Sequence, residues 1–354
     1  MSENDKINDT NNKKQKGGND YSDIALSTRV RLARNIKKYP FISMMSDTDR
    51  IGVLNDVKAA VLDNRPESVK NFNYLNVQTM TETDKLAMVE KHLISPEFAQ
   101  STHMAGVILN NEETISIMVN EEDHMRIQSI VKGFNIDEAF SVCDKLDNLI
   151  EEKLEYAFSN TYGYLTGCPS NVGSGMRVSV MLHLPALVKS KRISPILESA
   201  VKLGITARGI YGEKSDALGN IFQISNGISL GISEIEIINL VKSVSVQIIE
   251  RERKLREILY NRNPEEFENT VFRSFGIFSN ARLMSFEEAL ILMSNVRMGS
   301  DMGIIDFITK GQLDSIMEEI QISNIMKKIG SESSQKQRDC ERARIIRNAL
   351  KEEK

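Results

Sequence analysis

Cysteine is scarce in this chain. Cys143, Cys168 and Cys340 form neither a paired framework nor a CxxC spacing, which excludes a disulfide-stapled scaffold and speaks against a structural zinc site. Such usage suits a reducing compartment, so a cytoplasmic protein is expected. Long apolar runs are also lacking. The most apolar stretch, Val178 to Val188, is interrupted by Ser179, His183 and Pro185 and falls short of the ~18–20 residues a membrane span needs, so no membrane partner is expected. Residues 1–20 are polar throughout and hold no signal-peptide core, which reads as a disordered tail. Positive charge is not in excess: a net charge of −4 gives no global attraction to nucleic acid, which is not expected as a partner. No repeat of 20 to 50 residues marks a solenoid. The common phosphate-handling signatures GxxxxGK[ST], HRD and DFG are missing, so any use of ATP requires another device.

What is present fits two domains, since 354 residues with 41% hydrophobic content suffice for one large core and a smaller one. Residues 21–261 mix short strand-like runs with amphipathic helices. In Thr114 to Asn120, Ile115, Ile117 and Val119 alternate with Ser116, Met118 and Asn120, the period of a strand; Asn220 to Asn226 is a second candidate. Ile136, Phe140, Cys143, Leu146, Leu149, Ile150, Leu154 and Phe158 recur every three or four residues, the buried stripe of one helix. Ser233-x-x-Glu236 is a capping box opening a helix expected to run to Tyr260. From Asn263-Pro264 the remainder, 262–354, reads as all-helical: one helix opens at Ser285-x-x-Glu288, another lies near Thr309 to Ile329, and a charged helix closes the chain. Met44-Met45 reads as filler of core gaps.

Four segments carry the chemistry. Ser27-Thr-Arg-Val-Arg-Leu-Ala-Arg-Asn35 places Arg29 and Arg31 on one side of an extended backbone, where two guanidinium forks grip a polyanion. Asn120-Glu-Glu-Asp-His-Met-Arg126 sets three acids beside one arginine where the alternating strand ends. Cys168-Pro-Ser-Asn-Val-Gly-Ser-Gly-Met-Arg177 and Arg208-Gly-Ile-Tyr-Gly-Glu213 complete the set.

In order and spacing these segments resemble the ATP:guanido phosphotransferases, the family of creatine and arginine kinases, from Asp23 to near Arg253. Within it, Arg338-Asp-Cys-Glu-Arg-Ala343, Glu90 to Pro96 (EKHLISP) and Ala217 to Asn226 (ALGNIFQISN) are similar to the branch that phosphorylates arginine in proteins, and the helical domain that precedes the catalytic domain in phosphagen kinases is lacking. The resemblance implies an α+β fold, an antiparallel sheet flanked by helices, followed by a small all-helical C-terminal domain that dimerises.

It implies a nucleotide site for ATP, with Mg²⁺ held mainly through the nucleotide. Arg29, Arg31, Arg126, Arg177 and Arg208 go to the phosphates, within the runs Ser27, Thr28, Arg29, Val30, Arg31; Arg177, Val178, Ser179, Val180, Met181; and Arg208, Gly209, Ile210, Tyr211, Gly212, Glu213, with His92 as a further contact. Glu122 and Glu213 are implied to clamp and deprotonate the substrate guanidinium, whose pKa above ~12 demands both, with Cys168 beside them. Arg338, Asp339, Arg342 and Ala343 are implied to bind phosphoarginine as an allosteric ligand. Implied partners are proteins with exposed arginine, an activator protein, a Clp-type unfoldase, a heat-shock repressor and a second copy of the chain.

Each feature has a plainer reading. A single arginine in a charged sequence is usually solvated or half of a weak surface pair. Glu121 to Asp123 make an acceptable acidic turn, with Glu121 and Asp123 structural. Free cysteine is commonly an inert buried thiol. His183 reads as a core histidine, and the last helix as an ordinary charged one. The order of the four segments outweighs these readings. Two other functions compete: a kinase of free arginine, and an inactive module that only binds phosphoarginine.

Overall fold

The computed structural model describes residues 20–63, 70–210 and 217–351. The N-terminal tail, Tyr211, Gly212 and Glu213 lie outside the described residues.

The described residues form ten strands: β1 (Ala25–Arg34), β2 (Phe72–Asn76), β3 (Gly106–Asn110), β4 (Ile115–Val119), β5 (Met125–Lys132), β6 (Phe158–Ser159), β7 (Gly163–Tyr164), β8 (Met176–His183), β9 (Ile205–Gly209) and β10 (Ile221–Asn226). Eight of them make one sheet in the order β2-β3-β4-β5-β1-β8-β10-β9, and every pairing in it is antiparallel. β6 and β7 form a separate small hairpin.

The two faces of the sheet differ. One presents Val30, Leu32, Ile127, Val178, Val180 and Ile224 to a large core closed by α1 (Asp47–Leu62), α4 (Ile136–Glu151) and α7 (Glu234–Arg262). Among the described residues the other is covered only at its β3–β4 end, where Val107, Leu109 and Met118 pack with Met88 of α2 (Glu82–Glu90), Phe98 of α3 (Pro96–Ala99) and Leu93 between these helices. β4 is therefore buried on both sides. The rest of this second face is polar and holds the site.

Short helices α5 (Pro185–Lys189) and α6 (Ile193–Lys202) follow β8. α7 opens at the reciprocal Ser233/Glu236 capping box and runs two residues past Tyr260 to Arg262. Asn263 then caps α8 (Pro264–Asn280). With α9 (Phe286–Asp301), α10 (Lys310–Glu319), α11 (Ile322–Ile329) and α12 (Gln335–Ala349) it builds a second core around Val271, Phe278, Met293, Ile316 and Ile346.

Three expectations need correction. The α4 stripe stops at Glu151; Leu154 lies in the following loop and Phe158 in β6. The stretch Thr309 to Ile329 is two helices, broken at Ile320 and Gln321. Met45 packs on the large core, but Met44 is 78% exposed and fills no gap.

Candidate active site

The uncovered face owes its chemistry to strand register. Arg31 pairs with Arg177 on one side and Gln128 on the other, and Arg29 pairs with Ser179. Arg126 stands opposite Ala33, and Arg208 opposite Gln223. Paired residues share a face, so Arg29, Arg31, Arg126, Arg177 and Arg208, from β1, β5, β8 and β9, converge on one floor. Above it lies a cleft of about 660 Å³, walled on one side by residues from Val89 to Glu97 and on the other by Arg208, Gly209 and Ile210.

Five guanidinium groups so close repel one another, and only part of that charge is answered. Arg126 Nη2 lies 2.8 Å from Glu121 Oε1, which Ser95 Oγ also contacts. Arg29 donates a long bond of 3.4 Å to Gln223 Oε1, and Arg177 one of 3.2 Å to Ser225 Oγ. The buried Nε atoms of Arg29, Arg31, Arg126 and Arg177 have no protein acceptor. Burial, then repulsion from Arg126, Arg208 and Arg177, pushes the Arg29 pKa down to about 10; burial and the same neighbours hold Arg31 well below its ordinary value. Buried donors without acceptors in a cationic cradle are the complement of a polyphosphate, so the residues present fit ATP. Magnesium would arrive on the nucleotide's oxygens.

His92 faces the same cleft. It follows the C-cap of α2 in the left-handed region, φ 59°, and a doubled turn fixes it there: His92 N donates to Val89 O at 2.9 Å and Leu93 N to Met88 O at 2.9 Å. Gln128 Nε2 supports this backbone by donating to His92 O at 2.7 Å. Burial, then Arg29 and Arg31, lowers the His92 pKa to about 4, so the ring is neutral at pH 7.

Glu122 is exposed at the tip of the β4–β5 turn. The turn is braced on both flanks. Asp123, buried, accepts from Asn35 Nδ2 at 2.6 Å and Gly167 N at 2.6 Å. His124 Nδ1 accepts from Ile36 N at 2.9 Å, which leaves Nε2–H to donate to Pro40 O at 2.8 Å. Gly167 sits against this turn so closely that a Cβ there would lie 2.7 Å from Glu122 O. The loop carrying Cys168 is thereby pressed onto the Glu122 turn. Cys168 is partly exposed, with Sγ 3.0 Å from Ser170 Oγ. Glu122 and Cys168 both act electrostatically on Arg177, which puts them at one end of the arginine floor.

The runs expected to line the nucleotide site narrow to alternate residues. Thr28, Val30, Val178 and Val180 are fully buried on the opposite face, because successive strand residues point oppositely; Thr28 Oγ1 donates to Gly133 O at 2.7 Å. Ser27, Ser179 and Met181 share the arginine face, although Ser27 lines a neighbouring cleft. Gln128 and Gln223 join the floor without having been singled out from sequence. Their signal was a polar residue at the inward period of an otherwise apolar strand. Arg34 is a strut: it pairs with buried Asp147 at 2.7 Å and stacks 3.6 Å from the Tyr164 ring.

Arg338, Asp339, Arg342 and Ala343 share α12. Arg342, 1% exposed, donates to Met284 O at 2.9 Å and to Asp339 Oδ1 at 2.7 Å. Arg338 Nη2 reaches Gln335 Oε1 at 2.9 Å, and Ala343 lies in the helical core. His183 is a core histidine, Nε2 2.8 Å from Ser294 Oγ.

An arginine-floored anion cradle on an antiparallel sheet, with a carboxylate at its rim, defines a guanidine-directed phosphotransferase. The chain belongs to the ATP:guanido phosphotransferase family: the profile of that family's C-terminal catalytic domain matches residues 53–255. Residues 264–354 match the C-terminal domain of the protein-arginine kinase McsB. Proteins named protein-arginine kinase from Caldanaerobacter subterraneus subsp. tengcongensis and Bacillus cereus are 44% and 43% identical, over 93% and 96% of this chain and 97% and 96% of theirs. Among solved structures, the duplicated taurocyamine kinase of Schistosoma mansoni with transition state analog components aligns at TM-score 0.59 and 31% identity, over 65% of this chain and 33% of that one. Lombricine kinase aligns at TM-score 0.59 and 28% identity, over 66% of this chain and 67% of its own. This chain thus spans a third of the duplicated enzyme. Among the described residues no helix is long and apolar enough to cross a membrane.

Proposed function

We propose that the protein transfers the γ-phosphoryl group of ATP to the guanidinium of arginine residues in other proteins. The observation that carries this reading is the arginine floor: Arg29, Arg31, Arg126 and Arg208 line the cleft, and the buried Nε atoms of Arg29, Arg31, Arg126 and Arg177 have no acceptor among the described residues. Phosphoryl transfer through a loose transition state asks chiefly for positioning and charge neutralisation, which such a floor supplies. ATP with its Mg²⁺ supplies the transferred group when bound. Glu122, at the rim, orients the acceptor guanidinium and takes its proton, with Glu213 as the second carboxylate and Cys168 alongside.

Protein arginine is favoured over free arginine by the similarity of 264–354 to the McsB C-terminal domain and by relatives that bear the protein-arginine kinase name. The wider reading is a cytoplasmic, dimeric enzyme that an activator protein assists, marking proteins for a Clp-type unfoldase and acting on a heat-shock repressor. In it Arg338 and Asp339 receive phosphoarginine, with Arg342 holding Asp339 in place. Incubating the purified chain with ATP, free arginine and an arginine-rich protein, then assaying acid-labile phosphate, tests the proposal. Label on the protein substrate supports it; label only on free arginine, or none, replaces it with one of the two competing functions.

A further inference from the structure

α11 lacks a cap of its own. Gln321 at its N-cap makes no side-chain bond to the helix, so its first amides look elsewhere for acceptors. Glu90, the last residue of α2 in the catalytic domain, supplies them. Its carboxylate accepts from Ile322 N at 3.1 Å and Ser323 N at 3.1 Å, and from Ser323 Oγ. A second tie runs from Lys327 Nζ to Asp84 Oδ1, 2.9 Å apart, at the other end of α2. Glu90 stands two residues before His92, in the segment that walls the nucleotide cleft.

The opposite wall is held by the same helical domain through a different element. Gly209, at the end of β9, packs against Ala217 so closely that a Cβ would lie 2.7 Å from the alanine's Cβ, which closes the stem of the segment carrying Glu213. The next turn seats on α9. Gly219, φ +68°, lies against Leu290, where a Cβ would stand 3.4 Å from the leucine's Cβ, and Asn220 Nδ2 donates to Ser294 Oγ at 2.8 Å. Ser294 also contacts buried His183 at the end of β8.

From these contacts we propose that the helical domain is a clamp that sets the width of the nucleotide cleft, α11 gripping the His92 wall through Glu90 and α9 gripping, through Ser294 and Leu290, the turn of Gly219 and Asn220 that packs beside the wall of Arg208, Gly209 and Ile210. None of Ser294, Ser323 or Lys327 lines the cleft, so they are positioning residues. Arg29, Arg31, Arg126 and Arg177 stand on interior strands of the sheet, β1, β5 and β8, whereas Arg208 stands on the edge strand β9; the walls are the parts whose spacing depends on a second domain. This inference rests on the kinase reading for its kinetic consequence but not for its mechanical one.

The test uses the full chain with Ser294→Ala, Ser323→Ala and Lys327→Met, and with Ser294→Thr and Ser323→Thr as hydroxyl-keeping controls. Hydrogen exchange reads the walls without nucleotide. Ser323→Ala and Lys327→Met are expected to speed exchange in 88–97, and Ser294→Ala in 205–210 and 217–221, with β1, β5 and β8 unchanged. Kinetically, each alanine variant raises KM for MgATP roughly five- to tenfold, about the worth of one hydrogen bond, with a smaller change in kcat; the threonine variants restore it. Lys327→Met removes only a half-exposed pair and keeps the fold, so it reports even if an alanine variant misfolds. Unchanged wall exchange in folded variants overturns the clamp. So does altered exchange with unchanged KM. Wild type that binds no MgATP removes the functional reading and the kinetic half with it, while the exchange data judge the mechanical half alone.

Discussion

At the scale of residues, the site separates charge that binds from charge that reacts. Glu121 is committed to Arg126 and Ser95, and Asp123 to Asn35 and Gly167, so of the three consecutive acids Glu122 alone is free at the rim. Glu122→Gln keeps the shape and removes the charge; kcat is expected to fall at least about 10²-fold, the usual worth of a general base, with nucleotide affinity near wild type. Steady-state kinetics and a nucleotide titration check this, and near wild-type turnover would reassign the base. The arginines invite a test in the opposite sense. Arg31 is buried among four like charges, so Arg31→Met relieves repulsion and is expected to raise the thermal midpoint of the unliganded protein by about 1–2 °C, equivalent to about 1 kcal/mol, while abolishing the upward shift that MgATP or tripolyphosphate gives wild type. A less stable apo variant that still responds to tripolyphosphate would contradict the cradle. His92 adds a pH signature. Its folded pKa of about 4 lies below the ordinary 6.5, so the unfolded chain binds more protons between these values and stability is lost as pH falls through them. His92→Asn, which also suits a left-handed backbone, should flatten the midpoint-versus-pH curve between pH 6.5 and 4; an unchanged slope would mean that the ring titrates normally.

Elements carry these residues to one place, and here legibility in the sequence varied for physical reasons. Alternation in β1 and β4, the capping box at Ser233 and the N-cap at Ser285 are local patterns, so they read directly. Arg29 and Arg31 were placed on one side by period alone, and the register then brought Arg177 beside Arg31. The break between α10 and α11 was invisible, since the group that caps α11, Glu90, lies 232 residues away from Ile322. The α4 stripe misled beyond Glu151 because Leu154 stays buried in the loop and mimics another helical turn. The pairing of Arg34 with Asp147, a buried acid on α4, could not be read from a strand motif. Gly167 tests whether the loop-to-turn contact matters to chemistry. Gly167→Ala places a methyl 2.7 Å from Glu122 O and must push the turn, so kcat is expected to drop about tenfold or more with KM for MgATP within a factor of two. A variant with unchanged kcat would show that the Cys168 loop is mere packing.

On the scale of the whole molecule, the two domains meet through buried charge as well as through the walls of the cleft. Arg256 on α7 is 2.9 Å from Glu252 and 3.4 Å from Asp301 on α9, all three side chains no more than 4% exposed, and it donates to His183 O at 3.3 Å. Glu252 in turn accepts from Ala186 N and Leu187 N, each at 2.9 Å, at the start of α5. Arg256→Met fills most of the volume but leaves Glu252 buried without its cation and Asp301 with Lys310 alone, 3.4 Å away, a loss of about 3–5 kcal/mol by the general cost of breaking a buried pair. The pH dependence discriminates this cause from simple loss of packing. Burial already holds the Asp301 pKa above its ordinary value against the opposing pull of Arg256, so without Arg256 it rises further and the folded variant binds more protons than folded wild type near pH 5. The variant therefore regains stability relative to wild type as pH falls, and the deficit measured by urea unfolding should be clearly smaller at pH 5 than at pH 7.5. A deficit equal at the two pH values would make Arg256 a packing residue and remove buried charge from the account of how the helical domain is held on the sheet.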